Sequence, residues 1–160
     1  MFYLKNILIL ILLAIIQSAI VPIFGIRGIV PDVVLIYLVF ICSFRKRHEG
    51  VILGFTGGLL QDIISGGRLG ISALSKSIAF FLAGTFPGNR YDKSLTLFIL
   101  SLFITSFVDQ FIRLLFYSHH DAVRLDIIIF RYVIPTSLYT CIVGTLLFAL
   151  IIKWKQKKKL

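Results

Sequence analysis

The chain has 160 residues, 58% of them hydrophobic and 15% charged, with a formal net charge of +10 and a mean hydropathy of +0.97. Soluble domains run at about 45–50% apolar and about 25% charged residues, so this composition excludes an ordinary water-soluble domain and points to a single-domain integral membrane protein. The positive charge does not indicate nucleic acid, because most basic residues fall in short breaks between apolar runs or at the tail.

Six apolar runs follow in chain order, and the expected fold is an all-α bundle of six transmembrane helices. The first covers 6–24, "NILILILLAIIQSAIVPIF". It lacks an A-x-A site before Pro22 and is long for a signal-peptide core, so it reads as a retained helix. The second covers 31–44 and the third 50–64, "GVILGFTGGLLQDII". The fourth covers 71–86, the fifth 94–117 and the sixth 127–152. Spans two to four are shorter than the ~20 residues that cross a full bilayer core. They read as tightly packed, partly interfacial or locally thinning segments.

Orientation follows from the basic residues. An even number of spans places both termini on one side. That side collects Lys5, Arg45, Lys46, Arg47, Arg90, Lys93 and the tail residues Lys153, Lys155, Lys157, Lys158 and Lys159. The other side has only Arg27, Arg68 and Arg124. The positive-inside rule then puts both termini in the cytoplasm. The C-terminal tail reads as a topology anchor that also attracts anionic lipid.

Under this topology the charges inside the spans share one outer depth zone. They are Asp32, Asp62 and Asp109 against Lys76, Arg113 and Arg131. Charges at membrane depth are expensive and usually pair or line a cavity. Two readings stay open: an outward-facing polar pocket or partner surface, and a structural ion-pair network with Arg113 and Arg131 snorkelling to headgroups. Asp109 and Arg113 stand at i and i+4, so they share a helix face. Ser101 and Thr105 extend that seam inward. In span six, Pro135 cannot donate to the carbonyl of Arg131, which predicts a bend there.

Gly50, Gly54 and Gly58 recur at every fourth residue, and Asp62 is the next step. Such a ridge lets another helix approach closely. The linker "SGGRLG" supplies Gly66, Gly67 and Gly70 for a tight turn. The expectation is a close helical hairpin of spans three and four, with Asp62 paired to Arg68 or Lys76 at its tip.

Other chemistry is weakly signalled. The sequence contains no P-loop, HExxH, GxSxG or CxxC, and no nucleophile beside a base, so no enzyme activity and no cofactor are expected. Cys42 and Cys141 sit inside apolar runs as small buried side chains. His119, His120 and Asp121 read as a solvated loop rather than a metal site. Tyr3, Tyr117 and Trp154 fit an interfacial aromatic belt.

The segment "GVILGFTGGLLQDIISGGRLGISALSKSIAFFLAG" resembles MreD, the rod shape-determining membrane protein family. The matching residues are Gly54, Phe55, Gly58, Leu59 and Asp62, then Leu69, Gly70, Ala73 and Leu74. "PDVVLIYLVF" also looks like that family's second span. The resemblance implies a non-enzymatic scaffold of the bacterial elongation machinery in the cytoplasmic membrane. Its implied partner is MreC, with MreB and the glycosyltransferase–transpeptidase pair of wall synthesis tied in indirectly. The alternative is the substrate-binding component of an energy-coupling-factor vitamin transporter, whose six-helix plan and glycine–acid motifs are similar.

Overall fold

The structure is a computed structural model that describes residues 2–26, 28–42, 47–66, 68–83, 95–117 and 129–157. Several sequence expectations fall outside the described residues: Arg27, Arg45, Lys46, Gly67, Arg90, Lys93, the trio His119, His120 and Asp121, Arg124, and Lys158 and Lys159. The side chains of Tyr3 and of residues 151–157 are likewise outside the description.

The described residues are helical apart from turns and one isolated bridge. The helices are α1 (Phe2–Ala19), α2 (Val33–Cys42), α3 (Arg47–Ser65), α4 (Ile71–Ala83), α5 (Leu95–Tyr117) and α6 (Ile134–Lys157). The first apolar run does not continue as one helix to Phe24. It stops at Ala19, and Val21–Phe24 forms a separate 3₁₀ turn with Pro22 near its start. Proline lacks an N–H and crowds the preceding turn, so the helix yields there. Ile26 and Ile29 then exchange two backbone hydrogen bonds of 3.1 and 3.0 Å, with Gly28 at φ 82° supplying the left-handed turn position.

Pro135 has a related effect. A π-helical turn, Ile129–Val133, runs directly into α6 just before it. The wider turn accommodates the ring and the missing donor.

Helix α2 is apolar on every side and correspondingly central: Val34, Leu35, Ile36, Leu38 and Val39 are all buried. Helix α3 lies against α1 and α2 on one side and packs most extensively on α4; α4 leads to α5 and α5 to α6. The α1–α2 connection, the α3–α4 turn and the start of α6 gather at one end of the bundle: Tyr139 Oη donates to the Phe24 carbonyl (3.1 Å) and Tyr132 Oη to that of Gly28 (3.4 Å). We call this the turn end. The start of α1 and the end of α6 mark the terminal end, where Phe98 stacks on Phe148 at 4.2 Å and Phe40 meets Phe148 edge-on at 6.0 Å.

The distribution of polarity is inverted relative to a soluble protein. Leu4, Leu8 and Leu12 of α1 and Leu138, Ile142, Leu146 and Leu150 of α6 are exposed. Asp32, Asp62, Lys76, Asp109 and several serines and threonines are buried. Two stretches, Leu95–Phe116 and Ile129–Leu150, each of 22 residues, are long and apolar enough to cross a membrane. At 1.5 Å per residue each reaches ~33 Å, against a hydrocarbon core of ~30 Å. The other apolar helices, Leu4–Ala19, Val33–Cys42 and Ile71–Leu82, are shorter.

Candidate functional site

The polar interior is built from helix ends. Residue Asp32 precedes the first residue of α2, and its Oδ1 accepts the Leu35 N–H at 2.9 Å. This is an N-cap, which satisfies a backbone donor the helix cannot use itself. Gln17 of α1 completes the same end: its Oε1 accepts the Val33 N–H (2.8 Å) and its Nε2 donates to the Pro31 carbonyl (2.9 Å). From α6, Thr140 Oγ1 accepts the Asp32 N–H at 3.2 Å. The Asp32 carboxylate is thereby fixed before any charge approaches it.

Its second oxygen, Oδ2, lies 2.5 Å from Lys76 Nζ and 3.5 Å from Arg113 Nη2. Lys76 Nζ is also 3.4 Å from Asp109 Oδ2, and Arg113 Nε is 3.1 Å from the same oxygen. Ser75 Oγ donates to Asp109 Oδ1 at 2.6 Å, and Arg113 Nη2 reaches Gln61 Oε1 at 3.5 Å. Two carboxylates and two cations thus cancel in one network that joins α2, α3, α4 and α5. Lys76 and Asp109 are wholly buried, while the Arg113 side chain keeps 20% exposure. The expected i, i+4 pairing of Asp109 with Arg113 is present.

Two expected members do not join. Arg131 lies exposed on the π-helical turn, outside this set of ion pairs. Asp62 is buried but does not pair with Lys76 or Arg68. Its carboxylate instead accepts the backbone N–H groups of Gly70 (2.9 Å), Ser72 (3.0 Å) and Ala73 (3.3 Å). The last two are among the first donors of α4, and Gly70 directly precedes it. The residue preceding α4 is Gly70, which has no side chain with which to cap, so Asp62 performs the capping from the neighbouring helix. A carboxylate is also favoured at the positive end of the helix dipole. Arg68 turns the other way and donates from Nη1 to the Phe116 carbonyl in the last turn of α5 (3.3 Å).

The glycine ridge is used inside the hairpin rather than presented outward. A β-carbon on Gly58 would collide with the Ser72 carbonyl and lie 2.6 Å from the Ala73 Cα. On Gly54 it would lie 2.9 Å from the Phe80 ring and 3.2 Å from the Lys76 carbonyl. Gly50, at the terminal end, would meet only the Cys42 Sγ at 3.1 Å and looser atoms. Gly66 and Gly70 hold φ of 66° and 94° in the turn. The close approach of α3 to α4 is what brings Asp62 within reach of the α4 N–H groups.

A family model described as the rod shape-determining protein MreD matches residues 1–158. The chain belongs to the MreD family. No curated protein and no solved structure matches it. MreD is a shape-determining family; the residues that carry the resemblance in the sequence fall on the hairpin, where Gly54 and Gly58 make the helix contact, Asp62 the cap and Gly70 the turn. Sequence reasoning missed Gln61, Ser75, Gln17 and Thr140. Each stood in the sequence as a polar residue in an apolar run, which is itself the signal. Sequence reasoning also missed Gly57, which fits against Leu10, Val34 and Leu38, and Gly144, which fits against Leu102 and Ile36. Among the described residues no group of three His, Cys, Asp or Glu is placed to hold a metal.

The arrangement is suited to holding helices in fixed relation. Every charge in the network faces an opposite charge, and the one ammonium is sealed from the surroundings. It offers structural chemistry: directional bonds that specify which helices meet and at what height.

Proposed function

We propose that this MreD-family protein is a six-span scaffold of the bacterial cytoplasmic membrane, with both termini in the cytoplasm, that binds MreC. Through MreC it helps organise lateral peptidoglycan synthesis, with MreB and the glycosyltransferase–transpeptidase pair as indirect partners. The observation that carries this reading is the family match over 158 of 160 residues. The inverted polarity and the charge-neutral interior support it, because a rigid apolar-coated bundle is what a membrane scaffold needs. Gly54 and Gly58 of the ridge are occupied by α4 and Gly50 faces Cys42 of α2, so the ridge's contribution to partner binding is indirect, through the shape of the hairpin. The basic tail adds attraction to anionic headgroups at about 1 kcal/mol per residue near the surface.

Co-expression with MreC tests the partner. The tagged protein is expected to retain MreC through detergent extraction and reconstitution in nanodiscs. Recovery of a tightly held small molecule in place of MreC would instead favour the vitamin-transporter alternative. Topology is tested separately with single cysteines in a background lacking Cys42 and Cys141. An impermeant thiol reagent applied to cells is expected to modify position 120 and spare position 157.

A further inference from the structure

Between α1, α2 and α6 the bundle leaves a cleft of about 140 Å³. Its floor is one face of α2, Val33, Ile36, Tyr37 and Phe40, at the i, i+3, i+4, i+7 spacing of a helical stripe. Leu13 forms the α1 wall and Phe148 part of the α6 wall. Leu13, Tyr37 and Phe40 are only half-buried, so the cleft opens sideways from the bundle. The one hydroxyl among its lining residues, that of Tyr37, is already engaged with Asn6 Oδ1 at 3.1 Å. Nothing in it therefore asks for a polar guest. Its volume is close to that of cavities of about 150 Å³ that take up a small apolar molecule.

The cleft follows α2 from the turn end towards the terminal end. That second end is where the chain places positive charge. Lys5 is exposed on α1, eight residues before Leu13, or ~12 Å along the helix axis. Positions 153, 155 and 157 in the last turns of α6 are all lysine and begin five residues after Phe148, ~8 Å along its axis. Among the described residues Glu49, in the first turn of α3, is the acid at this end. An apolar slot that runs to a basic edge matches a molecule with a hydrocarbon chain and an anionic head.

We propose that this cleft is a binding site for an anionic phospholipid, with one acyl chain along α2 and the phosphate at the basic terminal end. The inference rests on the membrane-scaffold reading and adds a ligand to it. Bound there, the lipid would fill the gap between α1 and α6 that protein side chains leave open.

The test is native mass spectrometry of the full-length protein released from micelles carrying defined lipids. Dioleoyl-phosphatidylglycerol is expected to be retained about tenfold better than dioleoyl-phosphatidylcholine, given the attraction of two or more lysines near the surface. Dihexanoyl-phosphatidylglycerol, with the same head and short chains, is expected to be lost. Leu13→Trp fills the cleft and is expected to cut retention of the long-chain lipid at least about fivefold, since the chain is then excluded by volume. Leu12→Trp, on the exposed side of the same helix, should leave retention unchanged. Equal retention of the two dioleoyl lipids, equal retention of the short-chain lipid, or undiminished retention by Leu13→Trp would each overturn the proposal. So would a wild type that keeps no lipid while Leu13→Trp loses MreC, which would assign the cleft to a partner helix. The lipid comparisons on the wild type do not depend on the variant folding. The measurement has no sidedness, so a failure here is separable from a failure of the topology, which the cysteine labelling reads.

Discussion

At the turn end of the bundle Lys76 is fully buried between Asp32 and Asp109; at the terminal end the same interior is filled by Phe98 stacked on Phe148 at 4.2 Å. The two ends bury similar helices by different physics. Ion pairs and caps at the turn end are directional, so they fix which helix faces which and in what register. The apolar packing at the terminal end is less directional than an ion pair and leaves a cleft open beside it. Specificity of assembly is therefore concentrated at the turn end, and adaptability at the terminal end.

The largest break of that contrast is Lys76→Met. It leaves two buried carboxylates with Arg113 as their one remaining cation in the network. Removing one partner of a buried pair costs about 3–5 kcal/mol, which is read as a fall in unfolding free energy in a detergent titration. The double variant Lys76→Met with Asp109→Leu restores charge balance around Asp32 and Arg113, and should recover a large part of that loss. A single variant that loses less than about 1 kcal/mol would mean that water reaches the network and screens it.

The glycine ridge carries the same contrast along one helix, from Gly58 at the turn end to Gly50 at the terminal end. Gly58→Ala puts a methyl against backbone atoms of Ser72 and Ala73, which cannot turn aside. Overpacking of this kind costs about 1–3 kcal/mol. Gly50→Ala meets the Cys42 side chain at 3.1 Å, and a small shift of that thiol absorbs it. Thermal unfolding of the pair should therefore rank Gly58→Ala well below Gly50→Ala. Equal melting temperatures would show that the hairpin can open along its whole length.

How much of this was legible in the sequence differs between the ends too. The ridge, the glycine turn and the Asp109–Arg113 pair are local features at fixed spacing, and spacing is what a sequence displays. The partners of Lys76 are not local: Asp32 is 44 residues away and Asp109 is 33. The expected topology puts these three residues in one depth zone but does not choose among partners. The cations nearest to Asp62 in sequence, Arg68 and Lys76, drew attention from the uncapped N–H groups of α4, although Gly70 before that helix was the clue that a cap had to come from elsewhere. The break at Ala19 was signalled by Pro22 and overridden by the unbroken apolar run. The cleft along α2 had no sequence signal, since an apolar stripe facing a gap and one facing a helix read alike.

Asp62→Ala tests the cap directly. Loss of an N-cap costs about 0.5–2 kcal/mol, less than the loss of a buried ion pair, because it frees neutral N–H donors rather than a buried charge, and one of them, at Gly70, is half-exposed. Hydrogen exchange at Gly70, Ser72 and Ala73 should accelerate while the amides late in α4 hold. A loss as large as that of Lys76→Met would indicate that Asp62 carries a charge partner after all.

The smallest expected effect separates two arginines that look alike in the sequence. Arg113 and Arg131 both interrupt apolar runs near the turn end, yet Arg113 is held by Asp109, Asp32 and Gln61 while Arg131 is exposed beside Phe130 and Tyr132. Arg131→Gln removes a charge that already faces outward, and exposed substitutions usually stay within about 0.5 kcal/mol. Arg113→Gln leaves Lys76 alone between two carboxylates and should cost several times more, in the direction of the buried-pair figure. Unfolding titrations of the two variants in the same detergent decide the matter. If Arg131→Gln proves the more damaging, the exposed guanidinium is bonded to something outside the described residues, and the network drawn at the turn end is incomplete at its outer edge.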